Sequence, residues 1–261
     1  MCVACNSHAE CGANTLCLSD GSCHACTVTC PAGTCAGTQL QAALTAGGTI
    51  YVCPGRYTGN FNTFANYALI GAGDGSNEAS NTILDALNSG RALTNGAKSG
   101  SLARVRLTGA EVTSSFGGGI YHVPSNPSGT LTMTECTVAD NVNLNTGMGA
   151  GVYNQGTLNM TRCTVTENEG SNAGGGLHTI STLSMTNCQI TNNRAGTDGG
   201  GIRISGGTAI LDGCTVSGNT AGTTAGGVSK ASAATLTLLN GTTISGNNPN
   251  NCGGSVSGCT G

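Results

Sequence analysis

The chain has 261 residues, of which 8% are charged and 3% aromatic, with 44 glycines, no tryptophan and a formal net charge of −3. Glycine without a strict three-residue period excludes collagen, and a hydrophobic content of 38% concentrated at periodic positions argues against disorder. No basic stripe is present to meet nucleic acid, and no apolar run approaches the roughly 18 to 20 residues of a membrane-spanning helix.

Residues 1–36 hold eight of the 15 cysteines: Cys2, Cys5, Cys11, Cys17, Cys23, Cys26, Cys30 and Cys35. Two CxxC pairs, Cys2 with Cys5 and Cys23 with Cys26, are compatible with zinc. Cys11 and Cys17 interrupt that pattern and Cys30 and Cys35 follow it. The set therefore reads as a four-disulfide knot stapling a segment with too few aliphatics for a core. No metal and no other cofactor is expected. An oxidising compartment follows, and the chain is read as extracellular or cell-surface. No signal peptide is visible, so Met1 reads as an engineered start or the edge of a processed chain.

A short helix is predicted over Thr38–Leu44, with Thr38 as N-cap and Gly47-Gly48 as terminator. Strands are predicted at Thr49–Cys53, Tyr67–Gly73 and Thr82–Asp85, separated by Gly, Asn and Ser. This succession, with GGTIYVCPGRY, ALIGAG and TILDA over residues 38–86, resembles the opening of right-handed parallel β-helix proteins of the pectin-lyase-like superfamily.

From Leu102 a repeat takes over. Cys136, Cys163, Cys188 and Cys214 stand 27, 25 and 26 residues apart. The first three close TLTMTEC, TLNMTRC and TLSMTNC. Ahead of each comes a glycine run ending in an aliphatic (Ile120, Val152, Leu177, Ile202), and behind each an Asn. A period of about 25 residues is one coil of a three-sided solenoid, stabilised by stacking on its neighbours. The predicted fold is all-β: a right-handed parallel β-helix over 37–248 with a capping helix at 38–44. It lies between the disulfide-rich segment 1–36 and a C-terminal cysteine loop at 249–261. Alternation points Leu131, Met133, Leu158, Met160, Leu183 and Met185 inward and their Thr neighbours outward. Over residues 116–247 the repeat is also similar to those of polymorphic outer-membrane proteins and related autotransporter passengers. It departs from them in carrying Val or Ile where that family favours Phe, and no membrane-barrel segment is read at its end.

Each column has a chemical reading. Stacked thiols at Cys136, Cys163, Cys188 and Cys214 leave Cβ atoms near 4.8 Å, beyond the usual ~3.5–4.5 Å of a disulfide, so they read as buried filler. Asn141, Asn168, Asn193, Asn219 and Asn247 read as an amide ladder using left-handed backbone. Tyr121, Tyr153, His178 and Arg203, followed by Ser229, form an outward line that could stack on a sugar chain. Glu135 and Arg162 share another column and are expected to pair. For cleavage of a polysaccharide, which the superfamily resemblance raises, the adjacent carboxylates are Asp140 and Glu167. No Asp-Asp, Asn-Thr-Asp or Gly-His-Gly motif of the pectin-degrading hydrolases is present, and the chain is read as non-enzymatic. Ice binding rests on the grid of Thr130, Thr132 and Thr134, then Thr157, Asn159 and Thr161, then Thr182, Ser184 and Thr186, which is read as breaking at the row of Thr208, Ile210 and Asp212.

At the far end, Cys252 and Cys259 are expected to close a loop that shields little of the last coil. A knotted end facing a thinly capped one favours head-to-tail self-association into a fibre or surface appendage. A glycan-binding adhesin is the alternative. With 15 cysteines at least one lacks an intrachain partner, and Cys53 or a member of the buried column is expected to be it.

Overall fold

A computed structural model describes residues 8–18, 20–113, 115–126 and 128–259. The chain winds into a parallel β-solenoid. In chain order each coil lays down one strand on a first face, one on a second face, and one on a third. The first face carries eight strands, from Gly48–Tyr51 through Thr130–Thr134, Thr157–Thr161 and Thr182–Thr186 to Thr235–Leu239. The second carries nine, from Thr34–Ala36 to Thr243–Ser245, and the third eight, from Phe61–Thr63 to Cys252–Gly253. A fourth, short ladder of five strands, from Glu111–Thr113 to Thr220–Ala221, turns the corner between the second and third faces.

Register follows the repeat. Leu131 stacks on Leu158, Leu183 and Ala209, and Met133 on Met160, Met185 and Leu211. All eight side chains are buried. Their Thr, Ser and Asn neighbours point outward, as alternation requires. Val138, Val165, Ile190 and Val216 form the matching inward column of the second face. Polar turns at fixed positions keep this apolar stack in step, because a slip of one residue would turn each core column to water.

Helix α1 (Thr38–Ala46) covers the N-terminal opening, with Leu40 and Leu44 fully buried. Its N-cap is Gly37, with no side-chain cap, not Thr38. A Cβ at Gly37 would lie 2.4 Å from the Phe61 ring, so close packing selects glycine there over a capping side chain. The helix ends at Gly47, whose positive φ of 75° suits glycine.

The cysteine-rich segment is woven into the solenoid and is not a separate knot. Thr34–Ala36, ahead of the boundary expected at residue 36, is already the outermost strand of the second face. Val28 bridges Val52, and Cys26 bonds Cys53 across 27 residues of sequence. Cys53 is therefore not a free thiol. Cys11–Cys23 closes the hairpin of Thr15–Cys17 with Cys23–Ala25, and Cys30–Cys35 closes a tight loop. Cys17 is disulfide-bonded as well, while Cys2 and Cys5 lie outside the described residues. The hairpin runs along the flank: His24 stacks on Tyr51 at 4.7 Å, and Arg104 Nη1 donates to the Cys17 carbonyl at 3.0 Å.

At the other end, Cys252–Cys259 closes the predicted loop. Cys252–Gly253 adds a strand to the third face, and Cys252 packs against the core beside Leu236, Leu238 and Ile244. Those three stay partly exposed, and Leu239 is 42% exposed. Among the described residues no helix is long and apolar enough to cross a membrane.

Candidate functional site

The expected aromatic line exists as a register but not as an open track. Tyr121, Tyr153, His178, Arg203 and Ser229 occupy one position on successive coils of the third face. They point away from the solenoid interior, yet Tyr153 is only 5% exposed and His178 only 2%. The reason lies in the loops that enter each third-face strand. Their glycine runs press against one another, and a Cβ at Gly176 would lie 2.6 Å from the Gly201 carbonyl oxygen. With no side chains to hold them off, these loops fold over the line and cover it. Phe116 from one such loop stacks on Tyr153 at 4.6 Å, and Tyr153 continues onto His178 at 5.3 Å and Tyr121 at 5.7 Å. Arg91 sits 4.5 Å over the Tyr121 ring.

At the other end of the line, Arg203 Nη1 donates to Asp198 at 2.6 Å and lies 2.6 Å from the Ser229 hydroxyl, which also bonds Asp198 at 2.9 Å. Burial, then the neighbouring Arg203 charge, holds the His178 imidazole down at about 4. Its Nδ1 has no hydrogen-bond partner among the described residues. The line is thus a closed stack that ties loops to strands. What it leaves open is the edge of Phe116, with Tyr121 and Arg203 partly exposed.

The Asn column is the predicted amide ladder, buried throughout. Asn141, Asn168, Asn193 and Asn219 each donate a backbone N–H and an Nδ2–H to the next Asn Oδ1, at 2.9–3.2 Å. Asn247 passes the same pair to Asn251, a sixth member that falls outside the repeat spacing. The left-handed residue is not the Asn but the one before it: Asp140, Glu167, Asn192, Gly218 and Gly246 have φ between 56° and 67°. That twist turns each Asn amide inward along the stack.

The cysteine column is four free, buried thiols. Hydrogen bonding to the neighbouring thiol, with burial, pushes Cys163 and Cys188 up to about 12 and raises Cys214 further. Thiols so protonated are poor nucleophiles and poor metal ligands. Among the described residues no group of three or more His, Cys, Asp or Glu is placed to hold a metal ion.

A second internal polar column was not predicted. Asn95, His122, Asn154 and Thr179 stack inside the third face, all fully buried. Asn95 Nδ2 lies 2.9 Å from His122 Nδ1, and Asn154 Nδ2 donates to Thr179 Oγ1 at 2.9 Å. Strict alternation from the outward Tyr121 would have revealed it, since Ile120 and His122 must then both face inward.

The carboxylates are largely committed. Arg106 holds Asp140 at 2.7 Å, so the expected Asp140 and Glu167 pair does not stand free as two acids. Glu135 holds Arg162 at 2.8 Å, as expected, and Glu169 lies 3.4 Å from Arg194. Arg56 bridges Glu78 and Asp85. The Thr grid keeps its register, and a further pair, Thr208 on Thr235, extends its first column.

Together, the parallel coils, the stacked core columns and the Asn ladder define a β-helix. A family model described as "Right handed beta helix region" matches residues 68–248, and the chain belongs to that family. No curated protein and no solved structure matches it.

Proposed function

We propose that this chain is a non-enzymatic extracellular structural protein, a β-helix scaffold that self-associates through its ends into a fibre or surface appendage. The observation that carries this reading is where the charges sit. Between coils they pair with one another: Asp140 with Arg106, Glu135 with Arg162 and Glu169 with Arg194. The outward columns of the first face are small, mostly hydroxyl-bearing side chains. Such pairs contribute little stability one by one, about 0–1 kcal/mol, but they hold coils in register and leave few free acids for catalysis. Several disulfides suit an oxidising exterior.

For association, the last described coil offers the unpaired edges of Thr235–Leu239 and Thr243–Ser245, with Leu239 exposed beside partly buried Leu236 and Leu238. The N-terminal end is roofed by α1, so a head-to-tail joint there would rest on side chains and on the free edge of Thr34–Ala36. The adhesin alternative loses ground because Tyr153 and His178 lie beneath loops.

Sedimentation velocity over a hundredfold concentration range, with electron microscopy, tests the proposal. Concentration-dependent assemblies are expected, and Leu239→Lys, at an outward position, should abolish them without unfolding the protein. A strict monomer at the highest concentration would sink it.

A further inference from the structure

The two ends of the second face fit each other. That sheet runs unbroken from Thr34–Ala36 to Thr243–Ser245. We propose that it continues across the joint between copies, with Thr243–Ser245 of one copy adding in parallel register to Thr34–Ala36 of the next. This inference rests on the self-association reading above and names the surface and register of its contact.

At the N-terminal end the first and third faces are engaged within their own chain. Tyr51 N–H donates to Thr27 Oγ1 at 3.2 Å, and the Tyr51 carbonyl accepts from Thr27 N–H at 2.7 Å. Gln41 of α1 does the same for the third face. Its Oε1 accepts from Asn62 N–H at 2.9 Å, and its Nε2 donates to the Asn62 carbonyl at 2.8 Å. The second face has no such cover. Arg56 N–H donates to the Gly33 carbonyl and Gly37 N–H to that of Thr58, so Gly33, Cys35 and Gly37 face the next strand inward. Alternation along a parallel strand then turns the N–H and C=O of Thr34 and Ala36 outward, where they meet no partner among the described residues.

At the far end Thr243 N–H donates back to the Cys214 carbonyl, and the same alternation leaves the N–H and C=O of Ile244 outward. In register, Ile244 N–H meets the Thr34 carbonyl and the Ile244 carbonyl meets Ala36 N–H. The side chains agree with this register. One inward column runs from Cys35 and Tyr57 to Val216 and Ile244. Its inner members are buried, and only Cys35 and Ile244, at its two ends, are partly exposed. A second copy covers both at once. Thr34, Ala36, Thr243 and Ser245 are exposed and uncharged, so neither edge carries the lysine, proline or bulge that usually guards a free strand. The outer side of α1, with Gln39, Ala42 and Ala46 exposed, likewise sets no charge against the partly buried Leu236 and Leu238 of the arriving coil.

Sedimentation velocity of the full chain tests the joint with two double variants at exposed positions. Ala36→Lys with Ser245→Lys sets like charges opposite each other and should weaken assembly at least about tenfold. Ala36→Glu with Ser245→Lys sets opposite charges there and should assemble as the wild type does. Both variants alter the same two residues to charged ones, so a folding defect would strike both alike. In the wild type, the Ala36 and Ile244 amides should exchange at least about tenfold more slowly on assembly. Undiminished assembly of the like-charge variant, failure of the opposite-charge variant, or unprotected amides in the assembled wild type would each overturn this joint and leave self-association to another surface. A wild type that stays monomeric would remove both readings.

Discussion

Asn193 sits in the middle of the amide ladder and is 1% exposed. Its Oδ1 accepts from the Asn168 backbone N–H at 3.1 Å and from Asn168 Nδ2 at 2.9 Å. Its Nδ2 lies within 3.0 Å of the Val165 and Thr191 carbonyls and of Asn219 Oδ1. In Asn193→Ala the Asn168 N–H is left without an acceptor, which costs about 1–3 kcal/mol in a dry site, and the lost amide bonds forfeit about 0.5–1 kcal/mol each. With four such amide bonds lost, the sum is about 3–7 kcal/mol. Asn193→Asp separates hydrogen bonding from size. One carboxyl oxygen can still accept from Asn168, but the other then faces the Val165 and Thr191 carbonyls, which only a protonated acid tolerates. Its folded pKa is therefore raised above the ordinary 3.9 of an unfolded Asp. Its stability should be near that of the wild type at pH 3 and fall as the pH rises through the folded pKa, ending below Asn193→Ala at pH 7. Urea unfolding followed by circular dichroism gives the totals, and hydrogen exchange of the Asn168 amide locates the opening. An Asn193→Ala cost under about 1 kcal/mol, or an Asn193→Asp stability difference from the wild type that is the same at pH 3 and pH 7, would refute the ladder as a stabilising network.

The His178 imidazole is neutral in the fold and held down at about 4, against an unfolded value near 6.5. Below 6.5 the unfolded chain takes up the proton first, so stability should fall between pH 6.5 and 4 by about 1.4 kcal/mol per unit. His122 adds a contribution of the same sign, since burial lowers it too. His178→Phe, which keeps the ring stack, should flatten part of that slope in pH-resolved urea melts; an unchanged slope would show that His178 titrates normally. Replacing both Cys26 and Cys53 by Ser removes a 27-residue closure and should cost about 3.5 kcal/mol on the chain-entropy model. Thermal melts of this variant should show that loss, and loss of less than about 1 kcal/mol would mean that the segment is held by its strand pairing alone.

How much of this was legible in sequence depended on whether a feature repeats. Leu131, Met133, Cys136 and Asn141 recur with their counterparts on each coil, and parallel stacking turns a sequence period into a spatial column, so inward rows, thiols and amides could be placed without coordinates. Features that occur once escaped. Cys26 has equivalent near partners in sequence, and only the docking of Val28 against Val52 selects Cys53. Asn251 joins the ladder from a loop four residues beyond Asn247, off the period. The flank position of the hairpin has no repeat to announce it.

The aromatic line shows a subtler limit. Alternation assigned Tyr153 and His178 to the outer side of the strand correctly, and the inference from outer side to solvent was the step that failed. In a solenoid the two are the same only where turns are short. Between the Asn column and the third face the chain has a longer loop, and its glycines let neighbouring loops lie in backbone contact, as Gly176 against Gly201 shows. A wall of such loops has no side chains of its own to make a core, so it needs flat groups beneath it. Tyr153, His178 and the Phe116 ring are those groups. Three of the eight Phe and Tyr in this chain, Phe116, Tyr121 and Tyr153, lie on this line, while Tyr57, Phe61 and Tyr67 fill the core. The same logic explains why the line ends in Arg203, Asp198 and Ser229: the loop there carries a carboxylate at Asp198, and the strand answers with a cation in place of a ring.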